Sequence, residues 1–225
     1  MTRPLDQLLS SARVLLLDFD GPVCSVFAGY PAPVIAAQLR ELAARLGADP
    51  ASLDGGNDPL QLLRSLPASA PSPVVRAVAD ALRDAEVTAV ATARPTPHIG
   101  DLLRAAHYSG RIAAIVSNNS AAAVRSYLDR HDLSPWVDQI SARIDGMDPA
   151  LLKPHPHLVR QALTALHVQP GCAIFIGDTR ADVAAGRAAG VSVIGYANKP
   201  GKHDDLADAD GVIDDVRSLV DALAL

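Results

Sequence analysis

Four short segments carry side chains suited to chemistry: Asp18-Phe19-Asp20-Gly21, Ser117-Asn118-Asn119, Lys153-Pro154, and Gly177-Asp178-Thr179 with Asp182 four residues after Asp178. Gathered in one crevice, Asp18, Asp20 and Asp178 would repel one another and raise at least one pKa unless a cation lay between them. Their donors are oxygens, with no cysteine or paired histidine in the four segments. The cation is therefore predicted to be Mg2+, which typically takes a few carboxylates, waters and substrate phosphate oxygens. The substrate then carries a phosphate. Asp18, at the end of an apolar run, is the predicted nucleophile and would form an aspartyl-phosphate. Asp20 would protonate the leaving alkoxide and later deprotonate the hydrolytic water. Ser117 is expected to donate its hydroxyl to a phosphoryl oxygen, helped by backbone N–H groups near Asn118, and Lys153 to neutralise developing charge.

These side chains need a scaffold that delivers them to one place. Val14 to Leu17 is a continuous apolar run that stops at Asp18, which predicts a strand buried on both faces of a parallel sheet. Similar runs span 112–116, 173–176 and 191–194, with a weaker one at 211–213. Helical patterns cover 120–133, 157–166 and 181–189, the last ending before Gly190. The alternation predicts an α/β fold, a Rossmann-like, doubly wound parallel sheet with its crevice beyond the carboxyl ends of the strands. Between Cys24 and about Arg94 the strand pattern is missing, and helical stretches at 34–46, 59–66 and 73–84 take over. The expected division is a core of residues 1–23 and 95–225, with a helical subdomain at 24–94 inserted after the first motif. Within that insertion, Gly55-Gly56-Asn57-Asp58 signals a loop.

Asp-x-Asp-Gly alone is a weak pattern. The ordered set with Ser-Asn, Lys-Pro and Gly-Asp-Thr-x-x-x-Asp resembles the haloacid dehalogenase superfamily, especially its phosphoglycolate-phosphatase-like branch, over nearly the whole chain. The resemblance implies a Rossmann-like core with a helical cap. It also implies Mg2+ held by the Asp18 carboxylate, the Asp20 backbone carbonyl and Asp178. Asp182 would help through a water or from one layer further out, and Lys153 would hold Asp18 in place. Two departures stand out: Pro22 follows Gly21 where the family more often has Thr or Val, and the second motif reads Ser-Asn-Asn-Ser. Neither removes a functional group. A cap would exclude bulk water and favour a small leaving group. Asn57, Asp58 and Arg64, with Phe27 and Tyr30 on the segment leading into the cap, are the candidates to contact it.

Each motif also has a plainer reading. Ser117 suits a helix cap, Lys153 a solvated loop cation, and Asp178 and Asp182 a helix N-terminus. His155 and His157 form a His-x-His without a third ligand at metal spacing, so a helix start with partly exposed histidines is expected instead of zinc. Asp204, Asp205, Asp208 and Asp210 read as a solvated loop. Cys24 and Cys172, the two cysteines, lack the spacing of a disulfide framework or zinc knuckle and are expected to be reduced thiols.

The 225 residues are 49% hydrophobic and 20% charged, enough for one core and an insertion. The net charge of -5 argues against a nucleic-acid partner, which usually demands a basic face. No apolar run is long enough to cross a bilayer and no leader pattern is evident, so no membrane partner is expected and the predicted location is the cytoplasm. The predicted partner is a small phosphorylated metabolite, with monomer and homodimer both open. Rival functions are a phosphomutase of the same superfamily and a non-catalytic phosphate-binding module.

Overall fold

The computed structural model describes residues 4–53 and 56–223. The first helix, α1 (Leu5–Ser10), leads into β1 (Val14–Leu17), and β2 (Cys24–Ser25) follows the first motif. Three helices come next: α2 (Ala32–Arg45), α3 (Pro59–Ser65) and α4 (Ser72–Val90). The chain then continues through β3 (Arg94–Pro95), α5 (Ile99–Tyr108), β4 (Ile112–Ser120), α6 (Ala121–Arg130) and β5 (Gln139–Arg143). It closes with α7 (His157–Ala165), β6 (Ala173–Gly177), α8 (Arg180–Ala188), β7 (Ser192–Tyr196), α9 (Lys202–Asp205), β8 (Gly211–Ile213) and α10 (Arg217–Leu223).

Six strands form one parallel sheet in the order β5-β4-β1-β6-β7-β8. The apolar continuity of β1 has a direct cause. Leu15 and Leu17 enter the cluster that holds Leu102 and Tyr127 on one face, while Val14 and Leu16 enter the cluster with Leu158 and Phe175 on the other. A strand covered on both faces leaves no position for a polar residue until it ends. Truncating Leu16, fully buried, would cost about 2–5 kcal/mol. Since β1 pairs with β4 on one side and β6 on the other, the chain reverses its direction of winding at the centre of the sheet. That point is where an open α/β sheet presents its crevice.

β2 and β3 pair antiparallel as a two-residue ladder, Cys24 with Pro95 and Ser25 with Arg94. They bring together the two ends of the segment that contains α2, α3 and α4. Thr96 ties the same junction, its Oγ1 donating to Gly21 O at 2.7 Å and its N–H to Val23 O at 3.0 Å.

The structure adds α1, α5, α9, α10, β2 and β3 to the expected elements, and it departs from the periodicity around the site as follows. α4 runs to Val90, six residues beyond the expected end at Asp84, because Glu86, Ala89 and Val90 are buried on it. β4 continues past Val116 to Ser120. β5 was not signalled at all: Gln139 and Ile140 are half-buried, and Arg143 is a charged residue buried at its end. Gly55 of the expected Gly-rich loop lies outside the described residues, whereas Gly56 and Asn57 form a turn before α3. Among the described residues, no helix is long and apolar enough to cross a membrane.

Candidate active site

Asp18 follows β1 directly, and its buried carboxylate takes its hydrogen bond on one oxygen. Phe19 N–H donates to Oδ1 at 2.7 Å, and Lys153 Nζ forms an ion pair with the same oxygen at 2.7 Å. Neither contact involves Oδ2. Lys153 is buried, with Asp182 Oδ1 at 2.6 Å, the Val116 carbonyl at 3.1 Å and the Phe175 ring 5.3 Å away. Burial alone would lower the Lys153 pKa, but Asp18 and Asp182 together raise it. Burial, then the charge of Asp182, pushes Asp18 well above the usual carboxylate range despite the opposing pull of Lys153.

Asp182 sits in the first turn of α8 and serves two neighbours. Its Oδ2 accepts from Asp178 N, Thr179 N and Thr179 Oγ1, at 3.2, 3.0 and 2.6 Å, while Thr179 Oγ1 accepts from Asp182 N. This is a capping box, and it explains the spacing of Asp178 and Asp182: the helix start that aims Asp178 is held by the residue four positions on. Gly177 is required just before it, because a Cβ there would come within 2.3 Å of Asp182 Cβ.

Asp178 is buried at the end of β6. Its Oδ2 accepts from Asn198 Nδ2 at 3.1 Å and also receives the Lys202 ammonium, which reaches the Asp178 carbonyl at 2.7 Å. Its Oδ1 is buried without a hydrogen-bond partner. Carboxylate oxygens of Asp18, Asp178 and Asp182 all lie within 4.8 Å of one another. An all-oxygen set with an orphaned buried carboxylate oxygen fits a hard divalent cation. Gly21 makes room for the arrangement: its φ is +117°, and a Cβ there would lie 2.5 Å from Asp178 Cγ. The Asp20 carboxylate stands outside this cluster. Its Oδ1 accepts from Val26 N at 2.9 Å, and burial raises its pKa to about 6.

Ser117 is fully buried, and its hydroxyl is engaged with Asn119: Oγ donates to Asn119 Oδ1 at 3.2 Å and accepts from Asn119 N at 3.1 Å. Asn118 exchanges a pair of hydrogen bonds with the Lys153 backbone. Its Nδ2 donates to Lys153 O at 3.1 Å, and its Oδ1 accepts from Lys153 N at 2.8 Å. The second motif thus also fixes the third.

A cavity of about 360 Å3 is lined by Asp18, Asp20, Lys153 and Asp182, together with Asn118 and Asn119. Asn57, Asp58 and Arg64 line it from the other side, with Gln61 and Phe27 beside them. Asp58 also caps α3 by accepting from Leu60 N at 2.8 Å, and Arg64 Nη1 donates to Lys153 O at 3.4 Å. Tyr30 does not line the cavity and hydrogen-bonds to Gln38 instead. Ser117 and Asp178 are next to the cavity without lining it.

Sequence reasoning missed Lys202, Asn198, Glu86 and Arg143, and it named Asn119 within the second motif without giving it a role. The available signal for Lys202 was that it is one of three lysines in the chain. His155 is exposed and His157 half-buried, and among the described residues neither belongs to a metal-sized cluster. Cys24 and Cys172 are both free. Cys24 is buried beside Asp20 and Asp18, and burial above all pushes its thiol well up, away from reactivity. Asp204, Asp205 and Asp208 are exposed, whereas Asp210 accepts from Val193 N of β7 at 2.8 Å.

Residues 61–196, more than half of the chain, match the family described as haloacid dehalogenase-like hydrolase. A phosphoglycolate phosphatase from Salmonella typhimurium is 32% identical over 131 residues, 57% of this chain and 51% of that protein. The chain thus spans about half the length of the curated relatives it matches. In three dimensions it is similar to CbbY from Rhodobacter sphaeroides, solved with phosphate, at 23% identity and a TM-score of 0.69, covering 95% of this chain and 100% of that one. It is also similar to a β-phosphoglucomutase from Clostridium difficile, at 18% identity and a TM-score of 0.65, covering 95% of this chain and 97% of that one. At these identities the likeness concerns the fold.

Proposed function

The chain belongs to the haloacid dehalogenase-like hydrolases, and from that premise we propose that it hydrolyses the phosphate monoester of a small metabolite through an aspartyl-phosphate on Asp18. One observation carries the reading. A buried carboxylate at the end of the central strand has one oxygen held by Phe19 N and Lys153, and it lines a small cavity.

In this mechanism Asp18 Oδ2 attacks phosphorus and the ester P–O bond breaks. Asp20, with a pKa of about 6, gives its proton to the departing alkoxide. A group titrating near neutrality serves in both directions, so the Asp20 carboxylate then takes a proton from water. The water oxygen bonds to phosphorus, the acyl phosphate P–O bond breaks, and Asp18 returns to a carboxylate as inorganic phosphate leaves. Lys153 holds Asp18 and offsets charge on the transferring group. Ser117 turns its hydroxyl from Asn119 Oδ1 to a phosphoryl oxygen. Asp18, Asp178 and the Asp20 backbone carbonyl would hold Mg2+, with Asp182 supporting from behind. The bound ion supplies positive charge against the phosphoryl oxygens.

Residues 24–94 are proposed as a cap on a core of 1–23 and 95–225, with Asn57, Asp58 and Arg64 meeting the leaving group. The small cavity supports a metabolite over a folded phosphoprotein, and phosphoglycolate, named for the relatives, is the first compound to test. The experiment is inorganic phosphate release from a panel of small phosphate esters, with and without Mg2+, comparing the native chain with Asp18→Asn. Metal-dependent turnover that disappears in the variant is expected. Equal release by both proteins would remove Asp18 as nucleophile, and isomerised ester without free phosphate would make the chain a mutase.

A further inference from the structure

We propose that Glu86 and Arg143 form a buried clamp that sets the position of the Ser117–Asn119 loop, making them positioning residues for phosphate binding. The proposal rests on the phosphohydrolase reading of the site. The register between β4 and β5 breaks here: Ser117 pairs with Ala142 and Ser120 with Arg143, so Asn118 and Asn119 bulge out of the ladder. These same two residues wall the cavity. A bulge strips backbone groups of their ladder partners, and buried groups must find others.

Glu86 and Arg143 supply them. Glu86, fully buried on α4, accepts from Ser120 N at 2.8 Å and Arg143 Nη2 at 2.6 Å on Oε2, and from Asn119 Nδ2 at 3.2 Å on Oε1. Arg143, 5% exposed, donates from Nε to the Asn118 carbonyl at 3.1 Å and from Nη1 to the Ala79 carbonyl at 3.3 Å. The chain of contacts ends at the proposed phosphate donor. With its Nδ2 fixed by Glu86, the Asn119 amide presents Oδ1 to Ser117 Oγ, and Asn119 N–H donates to the same hydroxyl. A buried ion pair is weak as a source of stability, since apolar residues of similar size often replace one at no loss. Here both charged groups bond to the bulge, Glu86 at Asn119 and Ser120 and Arg143 at the Asn118 carbonyl, and to each other, which is what fixing a geometry requires. Glu86 belongs to α4 and Arg143 bonds to the Ala79 carbonyl of the same helix, the last before the chain returns to the sheet, so the segment before β3 and the loop are held by one device.

The test uses the full chain and inorganic phosphate as the probe, titrated calorimetrically with Mg2+ present. The double variant Glu86→Gln with Arg143→Met removes both charges while leaving an amide that can accept from Ser120 N. It is expected to bind phosphate about tenfold more weakly and to raise KM more than it lowers kcat, a loss in line with small misplacements near a reacting group. Its affinity for Mg2+ without phosphate is expected to stay within about twofold of the native chain, because Asp18, Asp178 and Asp182 are untouched. Arg143→Lys, which keeps the charge but loses the fork that reaches both Glu86 and Asn118 O, is expected to fall between native and double variant. It serves as the measurement if the double variant does not fold. Phosphate affinity and KM equal to native, or equal losses of phosphate and Mg2+ affinity, would reduce the pair to a strut and overturn the clamp alone. A native chain that binds no phosphate would overturn the phosphohydrolase reading and the clamp's purpose with it.

Discussion

Three acceptors surround the Lys153 ammonium: Asp18 and Asp182 at 2.7 and 2.6 Å and the Val116 carbonyl at 3.1 Å. Replacing Lys153 with Met would leave two buried carboxylates without their shared cation. Breaking a buried pair on one side typically costs about 3–5 kcal/mol, and a loss of that size in denaturant unfolding is expected here. Arg is not expected to rescue it, because a planar fork does not fit a pocket shaped around a point charge. A Lys153→Arg chain with native stability and phosphate affinity would contradict this account. The position of Lys153 was legible from its place between the second and fourth motifs. Lys202 was not: it lies 24 residues after Asp178, and its approach depends on how the segment after β7 folds back over the end of β6.

At the scale of elements, the turn after β1 carries the tightest constraint in the site. Gly21 has φ +117° and lies where a Cβ would meet Asp178 Cγ at 2.5 Å. Gly47 has φ +94° with nothing within 4 Å. Both Gly→Ala changes pay for a positive φ, about 1 kcal/mol or somewhat more. Only Gly21→Ala must also displace Asp178. Calorimetric titration with Mg2+ should therefore show at least about a tenfold loss for Gly21→Ala, roughly 1.4 kcal/mol, and no change for Gly47→Ala. Equal metal affinities in the two would mean that Asp178 is not a ligand. The turn itself was legible as Asp-x-Asp-Gly. The strand β5 was not, because an edge strand with half-exposed residues at one end and a buried arginine at the other lacks both the continuous and the alternating pattern.

For the whole molecule, the buried carboxyl cluster links stability to pH and metal. Burial raises the pKa of Asp18, of Asp20 from 3.8 to about 6, and of Asp178. Each group binds its proton more readily folded than unfolded. Its contribution to stability is therefore complete below its unfolded value and lost as pH rises through its folded value. Without divalent metal, these groups should make the chain less stable as pH climbs through about 6. A cation that requires ionised carboxylates reverses that cost. The Mg2+-induced rise in Tm is thus expected to be larger at about pH 8 than at about pH 5, measured by calorimetry against a chelated control. A rise that does not depend on pH would show that the ion binds elsewhere.

The sequence by itself determined the sheet and the strand ends at which the motif residues stand. Strands buried on both faces are written as unbroken apolar runs, and the residues that end them, Asp18 and Asp178, are adjacent in space because β1 pairs with β6. The tertiary structure alone decided how the site is braced. Glu86 and Arg143 are 57 residues apart and Lys202 lies 24 residues after Asp178, and no local pattern marks Glu86, Arg143 or Lys202 for the site. Local periodicity reports which face of an element is buried. It carries no information on which distant charge will be buried against it, because that pairing exists only after the chain has closed.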